Sequence, residues 1–145
     1  MELLAQHSWP LNERSRHFES GAILNCWVTQ AIQPPEIGWL GFFHAGNWEC
    51  DLVDNSLIWS GGVYDIFGLA RDVPITRNEA VALYCEESRA KMERLRAYAI
   101  QHKCGFTLDA EIDPVGGKRR WMRLVAEPVF DGDRAVRLHG LKLII

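Results

Sequence analysis

The sequence has no apolar run long enough to cross a bilayer, no charged-then-apolar leader at its N-terminus and no excess of positive charge. The first two absences exclude a membrane-spanning helix and a secretory signal, so a cytoplasmic setting is expected. Lysine and arginine number 16 against 19 aspartates and glutamates, and the net charge of -3 offers nucleic acid no basic field to bind. Cysteine is sparse. Cys26, Cys50, Cys85 and Cys104 are widely spaced with no C-x-x-C pair, and without a secretory leader they read as reduced, buried thiols. There is no H-E-x-x-H motif, no Cys/His cluster, no glycine-rich phosphate loop and no internal repeat. No catalytic residue and no metal ligand is therefore nominated, and no cofactor is identified.

What is present is an ordinary globular composition, 48% apolar and 24% charged over 145 residues, enough for one domain with a sizeable core. The clearest pattern lies in the C-terminal third. Phe106, Leu108, Ala110 and Ile112 alternate with Thr107, Asp109 and Glu111, the period of a half-buried strand. Asp113-Pro114-Val115-Gly116-Gly117 supplies a turn, Arg120 to Phe130 reads as a second strand, and Asp131-Gly132 leads into a third from Ala135 to Ile145. Upstream, Gly46 to Val53 and Ser56 to Ser60 make a hairpin about Asp54-Asn55. Helical turns are expected from Val63 to Leu69, a helix capped by Asn78 through Tyr84, and a longer one capped by Ser88. Before these, Ile23, Leu24, Trp27, Val28, Ala31 and Ile32 recur at helical spacing from Gly21 to Gln33, where Pro34-Pro35 ends the pattern. The order of elements predicts an α+β domain, a five-stranded antiparallel sheet with short helices on one face and an N-terminal helical extension.

Several of these segments resemble a known family in the order it uses them. Gly46-Asn47-Trp48-Glu49-Cys50-Asp51-Leu52 is similar to the first strand of a PAS domain, and Trp59-Ser60 with Val63-Tyr64-Asp65-Ile66-Phe67-Gly68 to its second strand and first helix. Gly117-Lys118-Arg119-Arg120-Trp121-Met122, Ala126-Glu127-Pro128-Val129, Asp131-Gly132 and His139-Gly140-Leu141 resemble its closing half. The resemblance divides the chain into an extension, residues 1–45, and a PAS-like sensory domain, residues 46–145. It implies a small-molecule pocket between sheet and helices and a role in signal transduction, with no enzymatic activity. The alternatives are a ligand-free dimerisation module and a small α+β enzyme.

Strand parity then sorts the residues. Burying Thr107, Asp109 and Glu111 would be costly, so Phe106, Leu108, Ala110 and Ile112 face inward. By the same reasoning Met122, Leu124 and Ala126 face inward on the next strand, and Val136, Leu138, Gly140 and Lys142 on the last. The candidate pocket residues are Trp48, Phe67, Phe106, Leu108, Ala110, Met122, Leu124, Leu138 and Lys142, with Met92 and Leu95 from the long helix. Trp121, Val125, Leu141 and Leu143 fall on the outer face, an apolar patch that calls for cover. The Gly21–Gln33 helix supplies it from its own chain or from a partner's, and a homodimer through that helix and this face is the expected assembly.

Lys142 carries the sharpest choice. Inward parity puts an ammonium near the pocket, where it would hold an acidic ligand group, but its place near the strand end favours snorkelling to solvent, and snorkelling is expected. His102 stands where haem-binding PAS relatives carry an axial ligand, yet one histidine at a helix C-terminus is explained by the dipole. The flavin-adduct motif Asn-Cys-Arg-Phe-Leu-Gln matches neither Asn25-Cys26-Trp27 nor Cys85-Glu86-Glu87. Asp109, Glu111 and Asp113 share an outward strand face with no nucleophile or base, and read as solvated carboxylates.

Overall fold

The computed structural model describes residues 21–24 and 44–145. In chain order these form β1 (Gly21–Leu24), β2 (Ala45–Asp51), β3 (Leu57–Trp59), α1 (Gly61–Phe67), α2 (Arg77–Ala82), α3 (Glu86–His102), β4 (Gly105–Ile112), β5 (Arg120–Asp131) and β6 (Arg134–Ile144). The strands build one antiparallel sheet in the order β1-β4-β5-β6-β2-β3. The five expected strands are present, and β1 is a sixth. The helical spacing expected to begin at Gly21 does not hold over Gly21–Leu24, whose backbone instead pairs with Gly105 to Leu108 of β4. A sheet edge with unpaired N–H and C=O groups recruits an extended segment, and this outweighs a helical spacing of side chains. The rest of the expected helix, residues 25–33, lies outside the described residues.

Two helix starts differ from the sequence reading. Thr76, not Asn78, caps α2. Its hydroxyl accepts from Glu79 N at 3.2 Å while Thr76 N donates to Glu79 Oε1 at 3.2 Å, the reciprocal capping box that Thr-x-x-Glu permits. α3 begins after Cys85, where Glu86 and Glu87 favour the positive end of the helix dipole. Ser88 is therefore inside the first turn, and its buried hydroxyl accepts a 2.8 Å bond from Glu111 N, tying α3 to β4.

The register confirms the parity argument. One inner row runs Phe106, Ala126, Gly140, Trp48 and Trp59 across five strands, and the next runs Leu108, Leu124, Lys142 and Gly46. Residues of α1, α2 and α3 pack on these rows to form the core: Val63, Ile66 and Phe67, then Ala80, then Met92, Leu95 and Ala99. Val125, Leu141 and Leu143 stand outside this core cluster, as outer-face residues should, yet all three are buried; Trp121 remains 47% exposed. Two glycines make the close contacts possible. A Cβ on Gly140 would lie 1.9 Å from the Val125 carbonyl oxygen, and one on Gly46 would lie 2.6 Å from Val63 N, where α1 closes on the sheet.

Candidate ligand site between sheet and helices

Opposite Gly140, where a Cβ would strike the backbone of Val125 and Ala126, stands Trp48. Its indole N–H is shared between the carbonyls of Val125 at 3.2 Å and Leu141 at 3.3 Å. Trp59, its neighbour on β3, stacks on Phe67 at 5.0 Å with the planes 15° apart, and Phe67 in turn meets Tyr84 at 6.1 Å. These four rings enclose one charged group. Lys142 Nζ lies 5.1 Å from the ring centre of Phe67, 5.3 Å from Trp59, 5.4 Å from Trp48 and 5.5 Å from Tyr84.

The lysine does not snorkel. It is 6% exposed, and among the described residues Nζ has no ion pair or hydrogen bond. The snorkelling expectation fails because the strand runs on to Ile144 and α1 closes over the position. The rings attract an ammonium through their quadrupoles, worth about 2 kcal/mol when desolvated. Loss of water opposes this by several kcal/mol for an ion without a counter-charge. Burial prevails and pushes the Lys142 pKa from 10.5 down to about 7, with the nearby Cys50 thiol favouring the charged form only weakly. Near neutrality the group is thus divided between ammonium and free amine. The Trp59 indole N–H, a member of the same cage, is buried without an acceptor among the described residues.

Beside the cage is a cavity of about 50 Å³. Lys142, Trp48, Phe106, Leu124 and Leu138 wall it from the sheet, Met92 and Arg96 from α3, and Arg77 from the start of α2. Arg77 bonds Glu93 Oε1, and Arg96 donates to Asn55 Oδ1 at 3.2 Å. Burial pushes the Arg96 pKa down, and the neighbouring Arg77 charge acts in the same direction. Three cationic side chains thus help line one small, mostly apolar space, and Glu93, bonded to Arg77, is near two of them. Such a wall suits an anion, and guanidinium groups in particular match a carboxylate's two oxygens. At this size the cavity holds a few waters or a very small organic acid, far below the several hundred Å³ of a drug-sized ligand site.

No protein-family profile matches the chain, and no curated protein does so either. Solved structures do. The N-terminal domain of a diguanylate cyclase with a PAS/PAC sensor from Marinobacter aquaeolei superposes with a TM-score of 0.63 at 13% identity, covering 69% of this chain and 94% of that one. A sensory box histidine kinase/response regulator from Burkholderia thailandensis gives 0.63 at 15% identity, over 73% of this chain and 80% of that one. An RNA-binding light-oxygen-voltage receptor gives 0.61 at 14% identity over 69% of this chain. The chain spans only 29% of that receptor's length. The fold is that of a PAS domain.

Within this PAS-like fold the expected pocket residues divide into two groups. Trp48, Met92, Phe106, Leu124, Leu138 and Lys142 meet around the cavity. Leu95, Leu108, Ala110 and Met122 lie in the filled core instead, and Phe67 touches the lysine cage without reaching the cavity wall. Sequence reasoning misses Arg77, Arg96, Cys50 and Tyr84. Arg96 has a signal, since it stands four residues from Met92 and so on the same helix face. Arg77 has none, because a cap at Asn78 places it outside α2. His102 ends α3 exposed, its ring 4.1 Å from Tyr98. Among the described residues no group of three or more His, Cys, Asp or Glu side chains is placed to hold a metal, and no helix is long and apolar enough to cross a membrane.

Proposed function

We propose that this chain is a sensory module in which a small anionic ligand enters the cavity between sheet and helices and changes the domain's contacts with a partner. The observation that carries this reading is Lys142, a buried cation with no counter-charge among the described residues, on the wall of a cavity that Arg77 and Arg96 also line. A carboxylate there would supply the missing charge and favour the ammonium. Ligand contacts on α2, α3 and β6 at once would bias the domain toward one of two packings, as a differential affinity for two states requires. The sensor kinase and cyclase proteins of the same fold support a signalling role. The outer face, with Trp121 half-exposed beside the buried Val125, Leu141 and Leu143, is the proposed homodimer surface, together with the N-terminal segment. The reading assigns the chain no catalysis.

Native mass spectrometry of the protein as purified tests this first, followed by calorimetric titration with small carboxylic acids at neutral pH. The expected result is a retained or titratable acid whose affinity falls about tenfold or more in Lys142→Met, the loss of one charge-assisted contact. A clean apo mass with no carboxylate binding would sink the ligand reading. The second reading, a ligand-free interaction module, draws on the cavity's small size. A dimer with no small molecule in the same spectrum would favour it.

A further inference from the structure

Electrostatics alone would be served by any cation in the cage. A lysine without a carboxylate does something an arginine does not, because it can present a free amine. Lys142 has the surroundings of a nucleophilic amine: a desolvated position among four aromatic rings, no hydrogen bond or ion pair among the described residues, and an open space at its side. The titratable groups around it are Tyr84, whose ring centre lies 5.5 Å away and whose hydroxyl burial keeps protonated, and Cys50, whose pKa burial also raises. Neither supplies a negative charge that would fix the ammonium. Burial brings Lys142 to about 7, so a large fraction is unprotonated at neutral pH, where an ordinary lysine has almost none. The two arginines on the same wall complete the specificity, since they offer a carboxylate its partners while the amine remains available for a second group on the same small molecule.

We propose that Lys142 captures a small oxo acid, a molecule of two or three carbons bearing both a carbonyl and a carboxylate, as a covalent imine inside the PAS cavity. This deepens the anionic-ligand reading and rests on it. The Nζ lone pair attacks the carbonyl carbon, forming a C–N bond as the C=O π pair moves to oxygen. A proton passes from nitrogen to that oxygen to give a carbinolamine. Loss of the hydroxyl with the second nitrogen proton releases one water and leaves C=N. Nothing is oxidised or reduced, and hydrolysis restores the free amine, so occupancy follows the concentration of the oxo acid. The carboxylate is held by Arg77 and Arg96, and the cavity's size limits the ligand to the smallest members of the class.

Glyoxylate with sodium cyanoborohydride tests the step, because reduction fixes an imine as a carboxymethyl group that intact mass and peptide mapping locate. On the full chain at neutral pH, one carboxymethyl group is expected on Lys142, trapped about tenfold or more faster than on the exposed Lys118. Lys142→Met should lose the fast adduct while keeping its slow surface labelling, and a circular dichroism spectrum and thermal transition like the parent's should show that the variant is folded. Glycolate, the same size with a hydroxyl in place of the carbonyl, should compete with trapping. Labelling spread evenly over surface lysines would overturn the proposal. Glycolate or glyoxylate binding without any adduct at Lys142 would overturn the imine and leave the anion site standing, whereas binding of neither acid would remove both.

Discussion

The two faces of the sheet treat charge in opposite ways. On the outer face charges stand across from their counter-charges. Asp109 receives Arg123 Nε at 2.7 Å and its second nitrogen at 3.0 Å, and Arg137 lies 3.8 Å from Glu49, while Glu127 has the imidazole of His139 at 2.9 Å. Two pairs join ladder partners and the third, Arg137 with Glu49, joins diagonal neighbours on the same face, and each keeps contact with water. On the inner face Lys142 is enclosed by aromatic rings, with no carboxylate beside it among the described residues. Exposed cross-strand pairs contribute between nothing and about 1 kcal/mol, while an unpaired buried ion costs several. The outer charges are explained by solubility and register. The inner one is not explained by stability, since a leucine or methionine in its place would pack without that penalty, and a costly buried group beside a cavity is what a functional site looks like.

The contrast depends on the close inner packing, so the largest expected effect comes from breaking that. Gly140→Ala puts a Cβ 1.9 Å from the Val125 carbonyl oxygen, on backbone that neither β5 nor Trp48 can move aside cheaply. A loss of about 3 kcal/mol or more is expected, with a broadened or absent thermal transition by circular dichroism. A variant within about 1 kcal/mol of the parent would show that the sheet yields at this point, and the tight enclosure of the inner face would no longer hold.

A smaller effect, but the one that bears directly on the lysine, is the pH dependence of stability. Its folded pKa is about 7 and its ordinary value 10.5. Below pH 7 both folded and unfolded chains carry the proton, and the burial penalty is present in full. Above pH 7 the folded protein releases the proton while the unfolded chain keeps it, so stability rises by about 1.4 kcal/mol per pH unit, roughly 3 kcal/mol by pH 9. Beyond that point Cys50 and Tyr84 act the other way, because burial raises both and the unfolded state ionises first. Urea unfolding between pH 7 and 9 should show the rise in the parent and its loss in Lys142→Met, which should also be the more stable at pH 7. An unchanged slope in the variant would mean that the lysine finds a counter-charge or water in solution.

Much of this contrast is legible in the sequence. Alternation in β4 to β6 separates the two faces, because a two-residue period leaves only two choices and charges exclude one of them; Leu138 and Lys142 inward, Leu141 and Leu143 outward, follow from it. What is not legible depends on contacts distant in sequence. Whether Lys142 reaches water is decided by α1, more than 70 residues earlier, closing over Gly46. Whether Gly21–Leu24 coils or extends is decided by a free edge on β4. Arg77 and Arg96 face the same cavity only because α2 and α3 pack together above the sheet, which no spacing within either helix records. The Thr76 cap is different in kind: Thr-x-x-Glu is present in the sequence, and choosing Asn78 instead rests on residue type alone.

The smallest expected effect tests the other half of the contrast. Arg123 and Asp109 make the best-formed outer pair, bidentate and about one-third exposed, and the carboxylate's hydrogen bonds hold the Arg123 pKa above its ordinary value. The geometry alone would suggest a strong interaction. Water and salt reach the pair, however, and both side chains are already ordered on strands, so the entropy cost is modest and so is the gain. A double-mutant cycle with Asp109→Asn and Arg123→Gln should give a coupling of about 1 kcal/mol, shrinking as salt is added. A coupling of about 3 kcal/mol that ignores salt would place this pair in an environment as dry as the lysine's. The two faces would then differ only in whether a charge is matched, not in what holding it costs, and the outer face would have to be covered far more completely than Trp121's exposure indicates.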